Sequence, residues 1–361
     1  MKVLHIIDTL WQGGAQSLLR SLFEKQKDNP DIFLFPLRTR EFNIDIDHPN
    51  VLANDSVSRL SLKPLKTLTE IIKSHHIDIL HCHLPRSHVF GYLIKKFYFP
   101  QIRLVIHEHG EIFEKYLIYK PILRCINPKV ALFICVSKAS ENELKNNINI
   151  QEGKTAVLYN FIDTGVFNRN RLLPGQKIER EKHDIAGHDY VVGFAGRLFH
   201  RKGWREFISA AYLLKGNEEL KFIIAGTGKD RQKLIRSIHQ SGMSSKVIYL
   251  GYVKDMLWFY SLIDCLVIPS HWEGLPVTQL EARALGIPVI TSNGPGLNEI
   301  QDENILMFEN RNPADLASKI SLLFNDKSLR LKHSNLPDLT NTFYSVNRYI
   351  EKLDCLYINL S

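Results

Sequence analysis

Glu273 and Glu281 stand eight positions apart in the run Ser270-His271-Trp272-Glu273-Gly274-Leu275-Pro276-Val277-Thr278-Gln279-Leu280-Glu281-Ala282. The apolar run Cys265-Leu266-Val267-Ile268-Pro269 precedes them. Gly274 permits a tight turn with close backbone approach. Pro276 suits the first position of a helix, where its missing N–H costs nothing. A helix that starts at Pro276-Val277 leaves amides with no partner inside the helix, and such an end binds anions. An anion cradle flanked by two carboxylates suits a ligand that carries both phosphate and sugar hydroxyls. A nucleotide sugar is such a ligand.

A second cluster follows the strand-like run Val191-Val192-Gly193-Phe194-Ala195. It reads Gly196-Arg197-Leu198-Phe199-His200-Arg201-Lys202-Gly203. Arg197 and Lys202 can reach one diphosphate, Arg as a planar fork and Lys as a point charge. The plainer alternative is two solvated loop cations; their place at a strand's carboxyl end favours a ligand. Asp8-Thr9-Leu10-Trp11-Gln12-Gly13-Gly14-Ala15-Gln16 follows the first strand and opens a helix. The amides of Gly13 and Gly14 suit an oxyanion or a sugar there, or simply a turn. Gly226-Thr227-Gly228 lacks the third glycine and the acidic partner of a dinucleotide fingerprint. It reads as a strand-to-helix turn lining a cleft.

Four histidines stand at two strand ends, His81-Cys82-His83 and His107-Glu108-His109-Gly110. Polar lining of a cleft is favoured over a metal site, because no ligand spacing is diagnostic. His109, before Gly110, is the candidate to touch substrate. Asp45-Ile46-Asp47 precedes His48-Pro49 and reads as a loop rather than a metal–diphosphate motif.

The elements that must position these residues come in two series. Strands are expected at 2–7, 32–36, 77–81, 103–107, 132–136 and 155–158, then at 190–195, 220–225, 247–250, 265–269 and 288–291. Apolar runs separated by helices indicate parallel sheets with helices on both faces. The fold class is therefore α/β, with two doubly wound domains and a ligand cleft between the carboxyl ends of their strands. A polar stretch from Asn168 to Gly187, with Pro174-Gly175, separates the series. The expected boundaries are 1–167, a linker at 168–187, 188–340, and a closing helix within 341–361, which follows the second series without a further strand.

A chain of 361 residues suits two domains, and 44% hydrophobic with 23% charged residues is ordinary for a soluble protein. No stretch has the apolar length to cross a bilayer. Met1-Lys2-Val3-Leu4-His5-Ile6-Ile7-Asp8 reads as a first strand rather than a signal peptide. Five scattered cysteines suggest neither disulfides nor zinc, so a cytoplasmic location is expected. Net charge is +8; between Arg86 and Lys138 nine Lys or Arg face three Glu. That stretch fits an anionic membrane, phosphates, or a solvated basic face. No nucleic-acid recognition module is present.

In order along the chain, five motifs resemble the retaining GT-B-fold glycosyltransferases of family 4. They are Gly13-Gly14-Ala15-Gln16, with Gln where the family has Glu; Glu108-His109-Gly110; Asn160-Phe161-Ile162-Asp163 with Phe167, where Phe161 stands for a commoner Gly; Gly196-Arg197-Leu198 with Lys202-Gly203; and Glu273-Gly274-Leu275-Pro276 with Glu281-Ala282. The resemblance implies a GT-B fold, two Rossmann-like domains facing a deep cleft, closed by a C-terminal helix. It implies that Arg197 and Lys202 bind the donor diphosphate and stabilise the departing nucleotide, with Gly196 in the same stretch. Glu273, with the amides of Gly274 and Leu275, holds the transferred sugar, and Pro276 and Val277 belong to the same donor turn. Glu281 holds the ribose. Gly13 and Gly14 approach phosphate or acceptor, and His109 the donor sugar. Gly294-Pro295-Gly296 with Glu299 resembles a further family turn.

The implied activity is retaining hexosyl transfer from a UDP- or GDP-sugar, with no metal and no cofactor. The acceptor is a saccharide, lipid-linked, in bacterial lipopolysaccharide, capsule or exopolysaccharide synthesis. Gly91-Tyr92-Leu93-Ile94-Lys95-Lys96-Phe97-Tyr98-Phe99-Pro100 is either a membrane-docking helix or a core helix with a basic edge. Two alternatives stand beside transfer: a nucleotide-sugar 2-epimerase on the same fold, and a noncatalytic nucleotide-sugar-binding protein. The Glu273–Glu281 block favours transfer over the first, and the intact Arg197, Lys202 and glutamates favour it over the second.

Overall fold

The computed structural model of the chain describes residues 1–11, 13–39, 44–58, 61–110, 116–172, 180–300, 305–334 and 344–360. Gln12, the charges at Glu111, Glu114 and Lys115, and Pro174-Gly175 of the expected linker lie outside the described residues. The chain divides into two compact units, Met1–Phe161 with Phe343–Ser361, and Ile162–Thr342. The first unit thus ends at Phe161, short of 167, and the C-terminal segment belongs to it.

In the first unit, β1 (Val3–Thr9), β2 (Ile32–Arg38), β3 (Ile79–His83), β4 (Arg103–Glu108), β5 (Leu132–Cys135) and β6 (Thr155–Val157) pair in parallel, in the order β2-β1-β3-β4-β5-β6. All seven side chains of β2 are buried, as expected of a strand covered on both faces. One face packs Leu4, Ile6, Phe35, Leu80, Leu104 and Phe133 into a single core. The helix Val346–Ile358 starts at Ser345, whose hydroxyl accepts from the Arg348 amide. It lies against the helix Gly14–Lys25. Its Tyr349 ring packs 4.5 Å from that of Phe161, and its Tyr357 hydroxyl is hydrogen-bonded to His81.

The second unit holds β7 (Tyr190–Ala195), β8 (Leu220–Ala225), β9 (Val247–Gly251), β10 (Cys265–Ile268), β11 (Val289–Ser292) and β12 (Ile305–Phe308). Their order is β12-β11-β10-β7-β8-β9, all parallel. Counted from β7, this is the strand order of the dinucleotide-binding fold. The order reverses between β7 and β10, and such a switch point opens a crevice outside the strands' carboxyl ends. Trp204, Phe207, Phe222 and Leu316 fill one face, and Ile223, Phe259, Leu266 and Leu285 the other.

Two expectations are corrected. A further strand, β12, does follow the second series. Its four residues pair with β11 at the sheet edge, and so short an apolar run carries no periodicity to distinguish it. Pro276 precedes the helix Val277–Ala284 as its N-cap, at φ −69° and ψ 121°, rather than occupying its first turn.

Candidate functional site

The carboxyl ends of β7 and β10 carry the expected cations and the first glutamate. Gly196 follows β7 directly, and its amide donates to the Ala225 carbonyl at 3.0 Å. Leu198 and Thr227 join their loops by a 2.9 Å backbone bond. Gly226, at φ +142°, passes so close that a Cβ there would sit 1.9 Å from the Gly196 carbonyl oxygen. The Gly226-Thr227-Gly228 turn is therefore a floor for the Arg197 loop. Arg197 itself is exposed.

Lys202 ends a short 3-10 turn, His200–Lys202, and its Nζ donates to Glu273 Oε1 at 2.5 Å. Arg201 Nη1 lies 3.9 Å from the other carboxylate oxygen of Glu273, and its guanidinium carbon stands 5.8 Å over the Trp272 ring. Burial alone would raise the Glu273 pKa, but the Lys202 and Arg201 charges outweigh it and hold it below the ordinary value. Burial is the main cause lowering that of Lys202; Arg201 and Arg197 lower it further, and Glu273 opposes. Arg197, Lys202 and Glu273 thus form one electrostatic cluster with an excess of positive charge, as an anion site requires.

Glu273 is fixed through its backbone. Its amide donates to the Pro295 carbonyl at 3.0 Å. Gly296 turns beneath it at φ +77°, where a Cβ would meet the Glu273 carbonyl oxygen at 2.0 Å. Replacing Gly296 with Ala is expected to lower stability by about 1–3 kcal/mol, since both conformation and space forbid a side chain. Donor affinity should fall with it; chemical denaturation and ligand titration of the variant check both effects.

Gly274, Leu275 and Pro276 are buried in the turn and Val277 is half-buried. Glu281 is the fifth residue of the helix Val277–Ala284. It is buried, and the Tyr260 hydroxyl donates to its Oε2 at 2.7 Å. Burial pushes its pKa up to about 7 against the lowering effect of that bond. Tyr260 and Arg201 were not singled out in the sequence. Tyr260 lies among core aromatics of the helix Met256–Leu262, where only its buried hydroxyl's need of a partner distinguishes it.

The remaining residues belong to the first unit. Gly13 caps the helix Gly14–Lys25. Gln16 is buried, and its amide donates to the Thr9 carbonyl at 3.2 Å. A glutamate cannot donate that bond, which accounts for Gln at this position. Asp8, at the end of β1, is bound by Arg38 at 2.6 Å and by Arg86 at 3.0 Å. Burial would raise its pKa, and the two arginines hold it below the ordinary value instead. Asp47 pairs with Lys27 at the surface, in a loop.

Three of the four strand-end histidines, His81, His83 and His107, are buried rather than lining a cleft. His5, His81, His83 and His107 are buried within β1, β3 and β4. Desolvation lowers the His5 pKa to about 3 and those of His81, His83 and His107 well below the ordinary value, so these imidazoles are neutral. His109, half-buried just past β4, is hydrogen-bonded to His83 at 3.0 Å.

A family model described as Glycosyl transferases group 1 matches residues 175–335, and one described as Glycosyltransferase Family 4 matches residues 17–166. The chain belongs to the group 1 glycosyltransferases. The capsular polysaccharide biosynthesis glycosyltransferase CapM of Staphylococcus aureus is 23% identical over 374 residues, covering 99% of this chain and 96% of the relative. An Escherichia coli UDP-Gal:alpha-D-GlcNAc-diphosphoundecaprenol alpha-1,3-galactosyltransferase is 24% identical over 329 residues, covering 86% and 83%. Among solved structures, Anabaena Alr3699/HepE in complex with UDP and glucose superimposes with a TM-score of 0.82 at 18% identity, covering 99% of both chains. That likeness shows the GT-B fold. Among the described residues no helix is long and apolar enough to cross a membrane.

Proposed function

We propose that this group 1 glycosyltransferase moves a hexose-type sugar from a UDP- or GDP-sugar to a hydroxyl of a lipid-linked saccharide. The product feeds bacterial lipopolysaccharide, capsule or exopolysaccharide. The observation that carries the reading is the Lys202–Glu273 ion pair at the β7–β10 switch point, with Arg197 beside it. A pair of this kind is poised for exchange: its desolvation cost is already met, and a donor diphosphate competes for the lysine. Arg197 and Lys202 bind the diphosphate and stabilise the charge that grows on it as the glycosidic bond breaks. Glu273, released from Lys202 in part, accepts hydrogen bonds from sugar hydroxyls. Glu281 does the same for the ribose, and His109 contacts the donor sugar.

No metal or cofactor enters this scheme, because two cations at the site supply the charge a metal supplies elsewhere. Glu273, engaged with Lys202, is a holding group and not a nucleophile. Transfer then proceeds on one face of the sugar, and the leaving phosphate takes the acceptor proton, so configuration is retained. The printed activity of the Escherichia coli relative, on a diphosphoundecaprenol-linked sugar, supports a lipid-linked acceptor here. The basic stretch also presents Phe97, which packs against Lys96, and Ile118, 63% and 75% exposed. These groups suit peripheral docking on an anionic cytoplasmic leaflet. Sedimentation with vesicles containing phosphatidylglycerol, lost on Lys96→Glu and at high salt, checks that docking; salt-insensitive or absent binding removes it.

The reading is tested with purified chain, UDP-, GDP- and ADP-sugars, and lipid-linked acceptors. The expected result is acceptor-dependent release of one nucleotide, with the product's anomeric coupling matching that of the donor. Conversion of free nucleotide sugar to its epimer without acceptor overturns transfer. An inverted anomeric coupling overturns retention.

A further inference from the structure

Two His-x-His pairs lie on neighbouring strands. His81 and His83 are on β3; His107 is the penultimate residue of β4 and His109 lies just past its end. Alternate strand residues point to one face. The register pairs His83 with His107 and His5 with His81. Five imidazoles therefore converge on one side of one sheet, an arrangement that hydrophobic packing does not demand. We propose that His83, His107 and His109 form a binding site for a divalent transition-metal ion of the zinc, nickel or cobalt class. This site shares His109 with the sugar-transfer reading, and its test reads metal binding rather than transfer.

Three observations carry it. Each of the three histidines offers a nitrogen, and those nitrogens lie within 4.8 Å of one another. His83 Nδ1 and His109 Nε2 are 3.0 Å apart. Two nitrogens on a tetrahedral zinc are separated by about 3.3 Å, so the ion needs little more room than the proton now held between them. His107 Nε2 is buried with no hydrogen-bond partner among the described residues. An unpartnered buried nitrogen is costly unless something binds it.

The outer partners that metal-bound histidines need are also in place. His107 Nδ1 is 3.1 Å from His81 Nε2, and His81 is bonded in turn to Tyr357. His83 Nε2 is 3.0 Å from His5 Nδ1. When His107 and His83 donate through these outer nitrogens, His107 Nε2 and His83 Nδ1 carry lone pairs. His109, half-buried, is the route in from solvent. The His107 and His109 rings stack at 4.2 Å with a 14° angle, so ligation turns one ring out of the stack. Neutral imidazoles select zinc, nickel or cobalt over calcium or magnesium.

The test uses the untagged full chain, stripped with chelator and titrated with Zn²⁺ and Co²⁺. One equivalent of zinc should survive desalting and raise the Tm with concentration. Co²⁺ should give the visible absorption of a nitrogen-ligated ion. His109→Gln, at a half-exposed position and with its fold checked by circular dichroism, should weaken binding by tenfold or more. His188→Gln, whose side chain is 73% exposed, should leave it unchanged. No retained metal overturns the proposal. So does a thiolate-to-cobalt band, or undiminished binding in folded His109→Gln.

Discussion

Replacing Lys202 with Ala should lower kcat for sugar transfer by about 10²–10³-fold while changing donor KM far less. In the proposed reaction the ammonium would do most where charge grows, on the diphosphate as it departs, and little for the uncleaved donor, which Arg197 would also hold. The substitution has a second consequence. Glu273, 9% exposed in its side chain, loses the partner that keeps its pKa low, and an unpaired buried carboxylate is destabilising. The double variant Lys202→Ala with Glu273→Gln removes that penalty and should recover stability without recovering turnover. Steady-state kinetics beside thermal melts separate the two effects. A Lys202→Ala enzyme with unchanged kcat would remove Lys202 from the reaction.

Glu281→Gln should weaken donor binding by roughly 10- to 150-fold, the range set by losing hydrogen bonds to a charged group. It should also change the pH dependence. With a pKa near 7, Glu281 is protonated in acid and ionised above neutrality. The ionised form is the better acceptor for ribose hydroxyls. Donor affinity of the parent chain should therefore rise as pH increases from 6 to 8, and the variant should flatten that rise. Stability runs the other way. The folded chain holds this proton more tightly than the unfolded chain, so the contribution is complete below the ordinary carboxyl pKa and is lost as pH rises through about 7. The donor-free parent should lose stability between pH 5 and 8 more steeply than Glu281→Gln. Calorimetric titration and denaturant melts across that range measure both trends.

Most of the strand framework was legible because parallel strands covered on both faces must be continuous apolar runs. The run Ile32–Arg38 is an example, and so is Tyr190–Ala195. What escaped is informative. The strand Ile305–Phe308 is too short to show a period. At the β7–β10 loops, Lys202 and Glu273 were visible as types in suitable places, but their pairing across 71 positions was not. It depends on β7 and β10 becoming neighbours, which only the strand order decides. Tyr260 was hidden for a related reason: its ring is core and only its hydroxyl serves Glu281. The histidines show the reverse error. Read one strand at a time they looked like cleft lining; register stacks His81, His83 and His107 with His5 into a buried ladder and leaves His109 half-buried at its end.

The proposed function stands or falls on a nucleotide-sugar diphosphate binding at the carboxyl ends of β7 and β10. Calorimetric titration of the preferred nucleoside diphosphate sugar into the parent chain and into Arg197→Ala tests it most directly. One saturable site is expected in the parent, with affinity lowered about tenfold or more in the folded variant. Equal affinity in the two proteins would contradict it.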